Sequence, residues 1–227
     1  MLKNPSFEGG WTRRTHTGQQ FGEIFVPEGW VAYWREGGTV PHDAENPNGY
    51  GRPETHVIDK APPYLDPERI FEGGRAFKMF TFFRIHDGGL YQRVEGIVPG
   101  TVYRFGGHAH AWSSSNDDAH TSNGVGDAAF YAEALDPGTP NYDDKRNFTF
   151  RVGIDPYGGT NPWSDQITWG RGAHIYNAYQ EIPFVDVKAM SDAVTVFVRS
   201  EVLWPFKHCD AYLDAISLEV VEAPGTG

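Results

Sequence analysis

Apolar and polar residues alternate over many short segments of the chain, and the clearest alternation lies in residues 101–112 (TVYRFGGHAHAW). One row of this segment is apolar and consists of Tyr103, Phe105, Ala109 and Ala111. The opposite row consists of Arg104, His108, His110 and Trp112. Because successive side chains of a strand point to opposite faces, this pattern predicts a strand with one face on a hydrophobic core and one face toward solvent.

The preceding segment, residues 89–97 (GLYQRVEGI), has the same strand pattern and is joined to 101–112 by the turn Val98-Pro99-Gly100. Parallel strands need a much longer connection, so the spacing predicts an antiparallel hairpin. In this interpretation Tyr91 lies beside the polar row of the neighbouring strand.

Further short segments bounded by turn residues bring the predicted total to between ten and twelve strands. They are 4–11, 29–36, 56–59, 76–85, 128–135, 147–155, 179–189, 193–201 and 210–221. No helical periodicity is evident, and Gly and Pro, 27 and 16 residues, are abundant. The pattern predicts an all-β, two-sheet antiparallel β-sandwich of jelly-roll type. We interpret residues 1–221 as one domain and 222–227 as a linker or tail, and the Pro- and Gly-rich stretch 37–74 as either ligand-adjacent or a mobile loop.

Composition narrows the classes of partner. The formal net charge of −11 argues against nucleic acid, whose phosphates are bound by Lys and Arg. No apolar run approaches the ~20 residues of a membrane span. The single cysteine, Cys209, excludes an internal disulfide and fits no cysteine-based metal site.

Both ends of the chain carry short motifs. Asn4-Pro5-Ser6-Phe7-Glu8 followed by Gly-Gly-Trp opens the chain, and residues 210–218 (DAYLDAISL) close it. Together with Gln92-Arg-Val94 and Pro99-Gly-Thr-Val-Tyr103, they resemble the galactose-binding-like jelly roll of carbohydrate-binding modules, in the group that includes xylan- and glucan-binding families. Pro5 and Ala215 depart from the usual residues of that pattern. The resemblance implies a non-catalytic module that binds a polysaccharide or other glycan, in a secreted or surface protein that can carry further domains.

The resemblance also implies a structural calcium, because the opening Glu and closing Asp of that family hold Ca²⁺ where the termini meet. Carried over by motif, the ligands are Glu8 and Asp214. Asp214 shares the inward phase of Ile216 and Leu218 on a continuous strand, and a buried carboxylate needs a cation or several donors. The alternative is two acids that accept hydrogen bonds at a strand edge.

The candidate ligand-binding residues begin with Trp112, whose neighbours His110, His108 and Arg104 in the row are polar. Tyr91, Trp34, Trp163 and Trp204 are further aromatic candidates for stacking on a sugar ring, although any one Trp can equally belong to the core. The His108-Ala-His110 spacing also occurs in metal sites. Since no third ligand is evident, lining of a ligand groove is the preferred interpretation.

Two alternatives remain open. One is a jelly-roll polysaccharide lyase or glycosidase, for which Glu133 and Asp155 are the carboxylates on neighbouring predicted strands. The sequence contains no nucleophile elbow and no phosphate loop. The other is a structural or adhesive module of a phage or cell-surface protein, whose aromatic face packs on another domain. We expect an extracellular or cell-surface location.

Overall fold

The computed structural model describes residues 1–40, 48–59, 69–114, 147–176 and 178–223. Every regular element that they form is a β-strand. The strands are β1 (Trp11–Thr12), β2 (Val26–Pro27), β3 (Val31–Trp34), β4 (Glu54–Asp59), β5 (Arg75–Thr81), β6 (Asp87–Glu95), β7 (Val102–Ser114), β8 (Phe148–Asp155), β9 (Thr168–Trp169), β10 (Ala173–His174), β11 (Gln180–Lys188), β12 (Ala193–Val202) and β13 (His208–Glu222). In this part of the chain no helix is long and apolar enough to cross a membrane.

The strands form two main antiparallel sheets. The six-stranded sheet has the order β10-β8-β12-β6-β3, with β9 also paired to β8, and the five-stranded sheet has the order β11-β7-β13-β5-β4. β1 and β2 form a small separate ribbon. The predicted two-sheet antiparallel β-sandwich is confirmed. The predicted strand 128–135 lies outside the described residues.

The core lies between the two sheets and is built from their inner rows. Phe105, Ala109 and Ala111 of β7 are fully buried there, as the alternation predicted, and Val196 and Ile154 of the other sheet belong to the same cluster. Burial of a Val, Ile or Phe side chain stabilises a fold by about 1.5–3 kcal/mol, so the many buried inner-row residues hold the two sheets together.

The predicted hairpin of 89–97 with 101–112 is wrong. β6 pairs with β12 and β3, whereas β7 pairs with β11 and β13, so the chain crosses from one sheet to the other at Pro99-Gly100. Hydrogen bonds from Ile97 N to Asp192 O (2.9 Å) and from Gly100 N to Ala189 O (2.8 Å) tie this crossing to the one between β11 and β12. A turn of this length can join two strands of one sheet as a hairpin or carry the chain from one sheet to the other. The alternation of apolar and polar residues does not distinguish these two connections.

A β-bulge at Ala215 changes the direction in which Asp214 points. The register of β13 against β7 shifts between Asp214 and Ser217, and Ala215 has φ of +48°, which is uncommon for a residue other than Gly. Leu213 and Ile216 both belong to the core cluster, so Asp214 points away from it. The prediction that Asp214 shares the inward phase of Ile216 is therefore wrong, because the bulge adds one residue between them.

Candidate ligand-binding face of the five-stranded sheet

The face of the five-stranded sheet that is turned away from the core, here called the outer face, carries the polar row of β7. Its residues lie directly opposite residues of β13, in the pairs Trp112–Asp210, His110–Tyr212 and His108–Asp214. Trp112 belongs to a small cluster with Tyr212, Ile58, Ile70 and Ala76, separate from the main core. The predicted separation of the two rows of β7 is confirmed.

Trp112 lies on the predicted face, but its side chain is fully buried, with 0% exposure. The guanidinium of Arg69 lies 4.6 Å from the ring centre, and the ring of His208 stacks beside it at 5.7 Å. The indole Nε1 donates to Tyr212 Oη at 3.2 Å. Trp112 is therefore not the accessible ligand-binding ring that the sequence predicted, because residues from distant parts of the chain cover it.

A buried charge network lies next to Trp112. Arg69 Nη1 donates to Tyr212 Oη at 2.9 Å, and Tyr212 Oη donates to Asp210 Oδ2 at 3.1 Å. Lys78 Nζ lies 2.7 Å from the same carboxylate oxygen, and the exposure of the two side chains is 13% and 1%. Burial, with the charge of Asp210, raises the pKa of Tyr212 to about 12. The hydroxyl therefore stays protonated and joins Arg69 to the sheet.

His110 is buried with Trp112. Its ring contacts Tyr179 and Tyr212 at 5.4 Å each. Burial, and secondarily the charge of Arg69, lowers its pKa to about 3, so the imidazole is neutral at physiological pH. Within the described ranges, no group of three His, Cys, Asp or Glu side chains is placed to hold a metal ion. We call this part of the outer face, around His110 and Trp112, the covered half.

The other end of the row is accessible. Arg104 and His108 line a pocket of about 270 Å³ together with Gly106, Gly107, Glu181, Phe184, Ala215, Ser217 and Glu219. Beside it the ring of Phe71 stacks on His108, with centroids 4.0 Å apart and an interplanar angle of 16°. Phe71 and Phe184 are each 46% exposed. We call this region the open half; it combines two accessible phenyl rings with charged and hydroxyl side chains.

Strand geometry positions the side chains of the open half. Arg104 donates from Nε and Nη2 to the two carboxylate oxygens of Asp186, both at 2.8 Å, and its guanidinium lies 3.7 Å from the ring centre of Phe184. The register of β11 shifts between Ile182 and Val185, and both residues face the core. This bulge directs Phe184 over the pocket. The alternation did not predict Phe184, although Pro183 within the strand is a sign of a bulge.

The two predicted calcium ligands contact a single loop, residues 71–75. Asp214 Oδ2 accepts hydrogen bonds from Phe71 N at 3.0 Å and Glu72 N at 3.1 Å. Glu8 Oε1 accepts from Gly74 N at 2.8 Å and Arg75 N at 2.9 Å. The two ends of the domain thus meet at the loop that presents Phe71 to His108. Burial raises the pKa of Asp214 to about 6, against the effect of its backbone donors.

Backbone N–H groups bind Asp214 and one carboxylate oxygen of Glu8, Oε1. Asp214 Oδ1 also accepts from Ala215 N at 2.8 Å, so backbone N–H groups bind both of its oxygens. Calcium needs six to eight oxygen ligands, and N–H groups cannot serve as ligands. The arrangement therefore matches the alternative of two acids at a strand edge and does not fit the metal as it stands. The structural calcium stays a prediction.

The remaining aromatic candidates lie elsewhere. Trp34 is 4% exposed and belongs to the core. Tyr91 and Trp163 are half-buried around Tyr33, on the outer face of the six-stranded sheet. Trp204 is half-buried in a loop, where its backbone N donates to Asn147 Oδ1 at 2.7 Å. None of these side chains lines the pocket with Arg104 and His108. Tyr91, which the predicted hairpin placed beside them, lies on β6 in the other sheet.

Of the two carboxylates considered for catalysis, Glu133 and Asp155, the structure describes only Asp155. Glu133 lies outside the described residues. Asp155 is 1% exposed, and its Oδ1 accepts a hydrogen bond from Tyr157 N at 2.8 Å. Asp155 therefore stabilises the turn that follows β8.

No family model and no curated protein sequence matches the chain. Solved structures match the chain over almost its whole length, and the following two are among them. TmCBM61, a carbohydrate-binding module in complex with β-1,4-galactotriose, superposes with a TM-score of 0.50 at 15% identity over 96% of this chain and 97% of its own. A cyclase from Fischerella sp. TAU in complex with 4-(1H-indol-3-yl)butan-2-one gives 0.54 at 14% identity over 99% and 98%.

The chain has the β-sandwich fold of carbohydrate-binding modules. A cyclase has the same fold, so fold alone does not decide between binding and catalysis. The function has to be argued from the site.

Proposed function

We propose that this protein is a non-catalytic glycan-binding domain, a module of a secreted or surface protein, that holds its saccharide in the open half of the outer face. The observation that carries the proposal is the arrangement at the pocket: accessible phenyl rings of Phe71 and Phe184 beside the charged side chains of Arg104, Glu181 and Glu219.

This combination suits a sugar. The C–H groups on one face of a pyranose ring pack on an aromatic ring, while its hydroxyls need hydrogen-bond partners. The ring of Phe184 offers the first kind of contact, and the carboxylates of Glu181 and Glu219 and the hydroxyl of Ser217 offer the second. The ion pair of Arg104 with Asp186 fixes the guanidinium before binding, which lowers the entropy lost when a ligand is bound.

The proposal is tested by titrating the protein with xylo-, gluco- and galacto-oligosaccharides in a calorimeter. We expect one class to bind and Phe184→Ala to weaken it about tenfold, because a few aromatic residues usually supply most of such an affinity. Tyr157→Ala is the matched control, since Tyr157 is 52% exposed and lies away from this pocket. Failure of every saccharide to bind, or equal losses in both variants, would contradict the proposal.

A glycosidase is the second candidate, favoured by the two carboxylates, Glu181 and Glu219, that line the same pocket. Both side chains are exposed, whereas a general acid needs burial to stay protonated near neutral pH. We therefore expect incubation with xylan, glucans, pectin and alginate to release neither reducing ends nor unsaturated products. Release that stops in a Glu181→Gln variant would replace the binding proposal with this one.

The predicted calcium has its own test. A cation bound only to the folded state at about a hundred times its dissociation constant adds about 2.7 kcal/mol, so a chelator would lower the melting temperature. The hydrogen bonds at Glu8 and Asp214 support the opposite result, an unchanged melting temperature. A loss of stability in chelator that disappears in Asp214→Asn would establish the metal.

A further inference from the structure

A second and larger pocket, of about 600 Å³, lies on the outer face of the six-stranded sheet. Its side chains come from the start of the chain, the segment after β1, strand β6 and the loop after β8; they include Lys3, Arg14, Tyr91, Arg93, Glu95 and Thr160. It shares no residue with the pocket at Arg104, because the two pockets lie on different sheets of the sandwich.

Positive charge distinguishes this pocket from the rest of the protein, whose net charge is −11. Three cationic side chains line it, against one carboxylate, that of Glu95. Arg93 pairs with Glu95, but these side chains are 41% and 77% exposed, so water screens the pair. Among the described residues, Lys3 and Arg14 have no carboxylate within ion-pair distance. The pocket therefore offers cations that an anionic ligand can pair with.

The backbone beneath the cations is held in place. Gln92 binds both backbone groups of Lys3, accepting from Lys3 N at 2.6 Å and donating to Lys3 O at 2.9 Å. Gly29 has φ of +94°, and a Cβ there would lie 2.7 Å from the Cβ of Lys3, so only glycine leaves room for the lysine. Arg14 O accepts from Ala32 N at 2.9 Å. The backbone of Lys3 and of Arg14 is therefore held in a defined position, while both side chains remain exposed.

Tyr91 supplies an aromatic wall. Its ring packs against Phe197 at 5.5 Å and Tyr33 at 6.3 Å, which fixes its orientation, and its remaining surface faces the pocket. Burial raises the pKa of its hydroxyl against the opposing effect of Arg14. At neutral pH the hydroxyl therefore stays protonated and can donate a hydrogen bond.

We propose that this pocket binds an acidic sugar, one that carries a carboxylate or a sulfate ester. Lys3 and Arg14 bind the anionic group, and Tyr91 contacts the sugar ring. The volume is much larger than a simple inorganic anion needs, and the polar lining does not suit an apolar ligand. The proposal goes beyond the glycan site of the five-stranded sheet and does not depend on it.

The test titrates the protein with tri-galacturonate, a sulfated galactose trisaccharide, neutral galactotriose and sodium sulfate. To keep the two sites distinguishable, each titration is run with the natural sequence and with Phe184→Ala, which removes the aromatic wall of the other pocket. We expect at least one acidic trisaccharide to bind both proteins equally, more tightly than sodium sulfate, and more weakly at about 0.5 M salt because exposed charges are then screened. Comparison of tri-galacturonate with the sulfated trisaccharide shows whether the pocket recognises a carboxylate or a sulfate ester.

The decisive variant is Lys3→Gln with Arg14→Gln, two exposed positions where the substitutions leave packing intact. We expect it to weaken the acidic trisaccharide about fivefold or more. Lys188→Gln, an exposed cation on the other sheet, is the control for net charge. Three results would overturn the proposal. They are equal affinity of the Phe184→Ala protein for neutral and acidic trisaccharides, binding that salt does not weaken, and a loss of affinity in Lys188→Gln equal to that in the double variant.

Discussion

The two halves of the outer face belong to the same strand and the same polar row, yet they differ in almost every physical property. His110 and Trp112 are 3% and 0% exposed, and the guanidinium of Arg69 lies over the Trp112 ring. Arg104 and His108, a few residues earlier, line an accessible pocket. The alternation in β7 determines which face a side chain lies on. Whether that side chain is covered depends on residues that arrive from elsewhere in the chain.

The difference implies that residues of the covered half stabilise the fold, whereas residues of the open half are available for binding. In the covered half, charges are buried and hydrogen-bonded to one another, so removal of any member leaves an unpaired polar group. In the open half, the ion pair of Arg104 with Asp186 is exposed, with side chains 40% and 36% accessible, and such pairs contribute little to stability. Substitutions in the two halves should therefore have opposite signatures.

The largest effect is expected for Trp112→Ala. The side chain is fully buried, and replacing a buried Trp by Ala usually costs about 3–5 kcal/mol because a cavity remains. Urea unfolding followed by fluorescence measures this loss, and Phe184→Ala, with a 46% exposed ring, is the matched control with a change of about 1 kcal/mol or less. A stable Trp112→Ala protein that has lost sugar binding would show that the covered half belongs to the ligand site.

A second contrast compares the buried and the exposed ion pair. Lys78→Met leaves Asp210 without its closest cation, and such a loss in a buried pair costs about 3–5 kcal/mol. Arg104→Met removes the same charge from an exposed pair, for which we expect a much smaller loss of stability because water screens the pair. Denaturant midpoints of the two variants give the comparison directly. Similar losses in both would mean that the network around Asp210 is better hydrated than its burial indicates.

The pH dependence of stability should reflect two buried histidines, His110 of the covered half and His86, which lies between β5 and β6 with its Nε2 3.1 Å from Ser200 Oγ. Burial lowers the pKa of His86 and of His110 to about 3 from 6.5. Below pH 6.5 each of these two histidines binds a proton in the unfolded chain but not in the folded protein. Each therefore lowers the free energy of unfolding by about 1.4 kcal/mol for every unit by which the pH falls, down to about pH 3. Asp214, with a pKa of about 6 instead of 3.8, acts in the opposite direction between pH 6 and pH 4 and offsets one of the two. Summed over these three groups, acidification destabilises the fold.

Unfolding free energies measured from pH 7.5 to pH 4 test this account. We expect His110→Gln to flatten the slope below pH 6.5 by about 1.4 kcal/mol per pH unit relative to the natural sequence. A slope identical to that of the natural sequence would show that His110 is protonated in the folded protein.

How well the sequence predicts a feature of this structure depends on how far apart in sequence the interacting residues are. Phe105 and Ala109 were correctly placed in the core because alternation is a local property of a strand. Which sheet β6 joins was not predictable from its own pattern, since Leu90 and Val94 face the core in either arrangement. The bulge that turns Asp214 outward depends on a single backbone conformation at Ala215, which its sequence neighbourhood does not reveal.

The candidate site was predicted only in part for the same reason. Arg104 and His108 were identified from their own strand. The two rings beside them were not, because Phe71 comes from a loop far away in sequence and Phe184 is directed to the pocket by the bulge in β11. The cover over Trp112 also comes from a distant segment, at Arg69. Local patterns therefore predicted the faces of the sheet, and tertiary contacts determined which parts remain accessible.

The smallest expected effect concerns the boundary between the two halves, at Phe71. Its backbone N–H is bound by buried Asp214, whereas its ring is 46% exposed and stacks on His108. If the ring belongs to the open half, Phe71→Ala removes one aromatic contact and costs about 0.5–1.5 kcal/mol of stability, while the backbone hydrogen bond to Asp214 remains. We expect this small loss in urea unfolding together with a measurable decrease in saccharide affinity, because the substitution releases the His108 ring at the edge of the pocket. A loss as large as that of Trp112→Ala with unchanged affinity would place Phe71 in the covered half and restrict the ligand to the side of Phe184.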